Sequence, residues 1–386
     1  MPKPHAESLC ERAHVVRLPL RVRFRGVETR EVVLIDAPRG WVEWSPFPEY
    51  DDAEAARWLR CAVGMGWGGP AVGAGSTGGG AQYLRDAGAP DPVTAPVSPL
   101  SVLGAAPGRR WVEVNATVPA VDVAADPEAV PRLLARYPGC RTVKVKVAEK
   151  GQTLDDDVAR VNAVRSVMEE AVRRGDVEGH PRVRVDANGG WTVDEALAAA
   201  EALTQTGPVD YLEQPCRTAA ELAGVRRGLM RRGLFVRVAA DELIRRAEDP
   251  LAVVRAGACD VAVVKAAPLG GVDRVLEVAE EVAAYGVAVT VSSALESAVG
   301  IGAGLAAAAG IPERIDDDGM VVPPQPAGLA TGSLFVEDVC APRPIVDGRL
   351  EAVAVAPDAD RLESLAVDGA TRDRWLDRLR RAHAHL

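Results

Sequence analysis

The chain of 386 residues carries 45 basic and 55 acidic side chains, a formal net charge of −10. Without a basic cluster, that balance argues against nucleic acid or an anionic membrane surface as the main partner, and no apolar run reaches the ~18–20 residues that span a bilayer. Only five of the basic residues are Lys, and His occurs only at 5, 14, 180, 383 and 385, so a His-centred catalytic group has almost no candidates.

The opening MPKPHAESLC lacks the apolar core of a secretory signal. Six scattered Cys without a C-x-x-C pair fit reduced thiols, so a cytoplasmic location is expected. Alternating runs within 15–50 read as antiparallel hairpins, followed by a helix over 53–63. Nine of the 17 residues from 64 to 80 are Gly, and the segment 64–108 has the composition of a flexible insertion. Its Gly73-x-Gly75-x-x-Gly78 lacks the strand–turn–helix setting that gives a dinucleotide fingerprint meaning, and reads as a glycine-rich loop.

From residue 112 short β-branched runs recur at 112–118, 142–147, 183–187, 209–213, 236–241, 261–266 and 287–293, alternating with helical stretches such as 155–174 and 192–206. Seven such strands, with an eighth expected near 320–330, predict a (β/α) barrel; pattern alone leaves an open doubly wound sheet as the alternative. Gly302-x-Gly304-x-x-Ala307 reads as a small-residue helix packed closely on the barrel, because no ribose-binding acid follows at the required distance. The tail has strand character in RLEAVAV and ends in a basic amphipathic helix, TRDRWLDRLRRA.

Parallel barrel strands are buried on both faces, where an unpaired charge costs several kcal/mol. Yet Lys144, Lys146, Asp186, Glu213, Asp241 and Lys265 lie at strand carboxyl ends, the edge where barrels build active sites. Lys144 and Lys146, two apart, share one face. A desolvated Lys can titrate near neutrality and act as a base where Arg cannot, and two ammonium groups on one wall are expected to depress each other's pKa. Asp186, Glu213 and Asp241 are spaced by 27 and 28 residues, one carboxylate per strand end. Their repulsion calls for a divalent cation, and all-oxygen ligation favours Mg2+ or Mn2+; a salt-bridge network with the lysines is the alternative. Asn188 and Glu242 stand beside the proposed ligands as supporting groups. A metal opposite two amines suits removal of a weakly acidic proton beside the carboxylate of a small-molecule substrate.

These residues resemble the enolase superfamily, in its muconate lactonizing enzyme subgroup. T-V-K-V-K-V (142–147), V-D-A-N (185–188), Y-L-E-Q-P (211–215), A-D-E (240–242) and V-V-K (263–265) carry the likeness. W-S-P-F-P-E-Y (44–50), V-N-A-T-V-P-A (114–120), S-S-A-L-E-S (292–297) and G-L-A-T-G (328–332) narrow it to the actinobacterial family of o-succinylbenzoate synthases.

The resemblance implies an α/β fold: a modified, TIM-like (β/α)7β barrel over 111–340, with an α+β cap built from 1–110 and the tail 341–386. It implies Mg2+ held by Asp186, Glu213 and Asp241, with Mn2+ as a substitute. Lys146 would take the α-proton of 2-succinyl-6-hydroxy-2,4-cyclohexadiene-1-carboxylate and protonate the departing hydroxyl. Lys265 would stabilise the enediolate from across the ring, and Lys144 would tune Lys146. Ser292, Ser293, Gly328, Leu329, Thr331 and Gly332 are similar to substrate-contacting segments, and 44–50 to a cap loop that closes over the site. The product lies on the menaquinone pathway. The chain departs from the family pattern at Val42, where Gly usually precedes the Glu (here Glu43), which bears on the cap turn. The same constellation serves N-succinylamino acid racemisation or muconate-type cycloisomerisation. From the residues alone, a Schiff-base aldolase using Lys265, which leaves the three carboxylates unexplained, and a non-catalytic scaffold, which predicts that Lys146→Ala behaves like wild type, also remain.

Overall fold

The computed structural model describes residues 3–24, 27–68, 108–246, 248–315 and 318–386; the motif at Gly73, Gly75 and Gly78 lies outside them. Strands β1 (Ala13–Phe24), β2 (Val27–Ala37) and β3 (Gly40–Trp44) form an antiparallel amino-terminal sheet. Val32 to Ile35 are all fully buried because both faces of this sheet are covered. One face packs in the core with Trp58 and Leu59 of the helix Asp52–Trp67, the other against Leu295, Val299, Leu334 and Phe335. Asp51 and Glu54 close a reciprocal capping box at the start of that helix. Val42 sits in regular strand opposite Ile35, and the β2–β3 turn is made at Gly40, whose φ of 120° favours glycine. The departure at Val42 therefore falls within the strand and outside the turn.

The chain then runs β4 (Trp111–Glu113), β5 (Ala116–Val118), β6 (Thr142–Lys146), β7 (Arg182–Asp186), β8 (Tyr211–Glu213), β9 (Arg237–Ala240), β10 (Val261–Val264) and β11 (Ala288–Val291). β5 to β11 form one parallel sheet in chain order. Thr153, Thr192 and Thr218 start the helices after β6, β7 and β8 with capping boxes, so each crossover begins at a defined residue.

The eighth barrel position lies within the expected 320–330. It follows the small hairpin of β12 (Arg314–Ile315) and β13 (Val321–Val322) and is not a regular strand, since Pro323, Pro324 and Pro326 remove its backbone donors. Ala327 bridges to Val114 and Gly328 to Ser292, and Ala327 N to Glu113 O and Gly328 N to Val291 O, both 2.8 Å, close the ring.

Outward residues such as Val143, Val145, Leu212, Val238 and Val264 join the main core, while inward residues form layers. Arg184, fully buried, is bonded to Asp210 and the Pro326 carbonyl; Tyr211, Ala239, Val261 and Val263 make an apolar interior cluster. The charged residues at the strand carboxyl ends lie beyond that cluster. A Cβ at Gly304, in the helix Ile301–Gly310, would come within 2.6 Å of Leu329, so the small-residue helix reads as close packing. In the tail, β14 (Arg349–Glu351) pairs with β4, and the helix Gly369–Ala384 packs on the helix Asp52–Trp67, with Trp375 edge-on to Trp44 at 5.6 Å. Among the described residues no helix is long and apolar enough to cross a membrane.

Candidate active site

Strand register assembles the charges. Lys146 stands opposite Asp186 in the β6–β7 pairing and Asp186 opposite Glu213 in β7–β8, while Asp241 and Lys265 directly follow β9 and β10. Five successive strands thus present Lys, Asp, Glu, Asp and Lys, with the two lysines flanking the carboxylates. The three carboxylates are fully buried, and Lys265 and Lys146 are 1% and 6% exposed.

Lys144 Nζ donates to both Glu213 oxygens at 2.9 and 3.1 Å and lies 3.3 Å from Asp186 Oδ2. Lys146 Nζ donates to Asp186 Oδ2 and Asn188 Oδ1, each at 2.5 Å, and Lys265 Nζ to Asp241 at 2.5 Å. The side chains therefore adopt the ion-pair network, and among the described residues no group of three His, Cys, Asp or Glu forms a ready metal cage. Burial opposes the charge on Lys144, but Glu213 and Asp186 outweigh it and hold the ammonium above its ordinary range. This corrects the expected depression of Lys144: the carboxylates on the neighbouring strands decide its charge. Glu213 is pushed up to about 7 by burial and by the charges of Asp186 and Asp241, against the pull of Lys144.

Supporting residues fix the carboxylates. Gln214, buried with a left-handed φ of 41°, accepts from Asp241 N at 3.0 Å and donates to Cys216 O at 2.8 Å. Asn188 donates to Glu242 at 3.3 Å, and Glu242 accepts from Arg245 at 2.8 Å. Arg245 lies 3.4 Å from Asp241 and donates to the Tyr50 hydroxyl of the 44–50 loop.

The cavity at this mouth is lined by Thr117, Lys144, Lys146, Asp186 and Lys265, and across from them by Ser292 to Leu295, Gly328 and Thr331. Ser293 Oγ and Thr331 Oγ1 are 2.8 Å apart. Leu329 and Gly332 do not line it: Leu329 packs against Gly304, and Gly332 faces a separate lateral cavity of about 650 Å3. Sequence reasoning missed Thr117, Leu295 and Gln214. Thr117 and Leu295 stand inside the quoted motifs V-N-A-T-V-P-A and S-S-A-L-E-S, and Gln214 beside Glu213 in Y-L-E-Q-P, but none of the three carries a charge that would mark it. The left-handed φ of 61° that turns Leu295 appears only in the folded loop.

The cap is bonded to this wall. Arg30 donates to the carbonyls of Leu295, at 3.3 Å, and Ser45, and its guanidinium lies 4.1 Å from the Phe47 ring centre. Glu43 accepts from Ser297 N at 2.9 Å and from the Ser297 and Ser45 hydroxyls. Burial and the charge of Glu43 push Glu296 up to about 7.

Residues 128–353 match the family described as enolase C-terminal domain-like, and residues 15–66 the one described as enolase N-terminal domain-like. An o-succinylbenzoate synthase of Mycobacterium marinum is 48% identical over 379 residues, covering 98% of this chain and 95% of that protein. The protein of the same name from Mycobacterium tuberculosis is 47% identical over 383 residues, covering 99% and 97%. Among solved structures, muconate lactonizing enzyme from Pseudomonas fluorescens, complexed with muconolactone, superposes with a TM-score of 0.65 at 20% identity, covering 92% of this chain and 98% of that one. An enolase from Streptomyces coelicolor also reaches 0.65 at 20% identity, covering 94% and 96%.

Proposed function

The chain belongs to the enolase superfamily, and we propose that within it this protein is an o-succinylbenzoate synthase. It would dehydrate 2-succinyl-6-hydroxy-2,4-cyclohexadiene-1-carboxylate to o-succinylbenzoate, a step of menaquinone biosynthesis. The observation that carries the reaction type is the order around the barrel mouth, Lys146, three carboxylates, then Lys265, on five adjacent strands. The names and near-complete coverage of the Mycobacterium relatives support the substrate.

Enzymes of this superfamily use a divalent metal. The residues present fit one: Asp186, Glu213 and Asp241 offer only oxygen donors, and burial together with the other two carboxylates already opposes ionisation of Glu213. They would hold Mg2+, with Mn2+ as a substitute, and when bound the cation supplies charge stabilisation to the substrate carboxylate as its α-proton leaves.

The chain's own groups perform the proton transfers. Lys146 Nζ accepts the α-proton as the C–H bond breaks, then gives a proton to the departing hydroxyl as the C–O bond breaks. Water leaves on the same face and the ring becomes aromatic, so no oxidant or reductant is required. Lys265, from the far side of the mouth, stabilises the negative charge that develops between the two steps. Lys144 shares the Asp186 Oδ2 atom with Lys146 and so acts on the base through a common carboxylate. Ser292, Ser293 and Thr331 offer hydroxyls to the substrate's oxygens.

The test is turnover by the purified protein with Mg2+, comparing the cyclohexadiene with N-succinylamino acids. A higher kcat/KM for the cyclohexadiene is expected. A higher value for an N-succinylamino acid would overturn the assignment in favour of a racemase.

A further inference from the structure

Arg160 lies on the helix Leu154–Arg174, faces none of the site residues with its charge, and is nonetheless fully buried. Its donors are spread over two loops of the barrel mouth. Nε donates to the Val121 carbonyl in the loop after β5, and Nη1 to the carbonyl of Lys146 itself, both at 2.8 Å. Nη1 also reaches Asp157 at 2.8 Å, and Nη2 donates to the Gln152 side chain. Its two side-chain acceptors then hold the same loops. Asp157 Oδ2 accepts from Ala148 N at 2.9 Å, and Gln152 Nε2 donates to Ala120 O at 2.9 Å.

Between these bonds the backbone is held in a costly conformation. Ala148, two residues after Lys146, has φ 58°, a left-handed geometry that a residue with a Cβ adopts only when its surroundings dictate it. A Cβ on Gly190, in the loop after β7, would come within 2.8 Å of the Ala148 methyl, so the turn is packed from that side as well. A planar guanidinium with donors in a fixed fork can satisfy several carbonyls at set angles; a lysine ammonium cannot.

We propose that Arg160 is a positioning residue for the proton-transfer step: by fixing the Lys146 carbonyl and the turn at Ala148, it sets where the Lys146 side chain projects into the mouth. This inference rests on the reading of Lys146 as the base. A loosened turn displaces the base from the substrate's carbon acid, and displacements of about 1 Å cost about 100-fold in rate. Substrate binding, carried by the opposite wall and the carboxylate sites, is unaffected.

The experiment compares wild type with Arg160→Lys and Gln152→Ala, full-length and with Mg2+. It measures kcat, KM, the primary deuterium isotope effect at the carbon that loses its proton, and the calorimetric stoichiometry of o-succinylbenzoate binding. Arg160→Lys is expected to lower kcat by about 10- to 100-fold, with KM within about threefold of wild type, one product bound per chain, and an isotope effect no smaller than wild type's. Gln152→Ala removes one acceptor without emptying the core, and shifts kcat in the same direction by less.

A purely structural role lowers the product stoichiometry and kcat together, leaving kcat per binding site unchanged; that result overturns the proposal. So does wild-type kcat in Arg160→Lys or, should that variant not fold, in Gln152→Ala. Lys146→Arg separates the two readings. If it retains turnover, the assignment of the base fails; if it is inactive while kcat per site in the Arg160 and Gln152 variants matches wild type, only the positioning role fails.

Discussion

Lys146 and Asp186 face each other in register across β6 and β7, and the Lys146 ammonium donates to the Asp186 carboxylate at 2.5 Å. Lys144 reaches the same oxygen at 3.3 Å. One buried carboxylate therefore links the proposed base, its lysine neighbour and the proposed metal site, and substitutions at either end separate their roles.

Lys146→Arg keeps a cation against Asp186 but cannot accept a proton at working pH. Turnover is expected to fall by about 100- to 10,000-fold, the usual contribution of a positioned base, while circular dichroism and the thermal midpoint stay close to wild type. Substantial residual turnover would remove Lys146 from the proton transfer.

Asp186→Ala deletes one of the three carboxylates proposed to hold the metal. Calorimetric titration should show weaker Mg2+ binding, and activity should require correspondingly more metal. Chelation of the wild-type protein should abolish turnover and added Mg2+ restore it. An unchanged titration in the variant would exclude Asp186 from the ligand set.

Arg30→Ala withdraws the guanidinium that joins the cap carbonyl of Ser45 to the barrel carbonyl of Leu295, and leaves Glu43 and Glu296 without their buried cation. A loss of about 3 kcal/mol is expected in urea unfolding. Because Leu295 lines the cavity, KM should rise more than kcat falls. A wild-type KM would show that the Leu295 wall is held without the cap.

Glu296 supplies a pH dependence of stability with a definite sign. Its pKa in the folded protein is about 7 against an ordinary value of 4.5, so the folded state binds this proton more tightly than the unfolded state. The contribution is fully present below about 4.5 and is lost as pH rises through about 7. At about 1.4 kcal/mol per pH unit, the cost at alkaline pH is at most about 3 kcal/mol. Glu296→Gln should therefore raise the thermal midpoint at pH 8, with the gain disappearing towards pH 4.5. A gain of equal size at both pH values would contradict this account.

The barrel was readable because its signals are local. β-branched runs recur with the period of strands, and their spacing matches one strand plus one helix. The six charges at strand ends stood out because burial makes charge expensive there. A period of two fixes which residues of a strand share a face, and the strand pairing of the folded barrel then set five of the six charges side by side on five adjacent strands.

The amino acid sequence by itself determined the residue types that can do chemistry here: lysines as the available bases and three carboxylates at one edge. Which lysine pairs with which carboxylate was decided only by the tertiary structure, and so was the direction of the Lys144 shift, because a pKa depends on charges within about 3–6 Å regardless of their distance along the chain. Tertiary structure alone also placed Leu295 in the cavity wall, removed Leu329 and Gly332 from it, and let Arg160 bind two loops at once. These facts arise where segments far apart in sequence meet, and no local pattern encodes the angle at which they do.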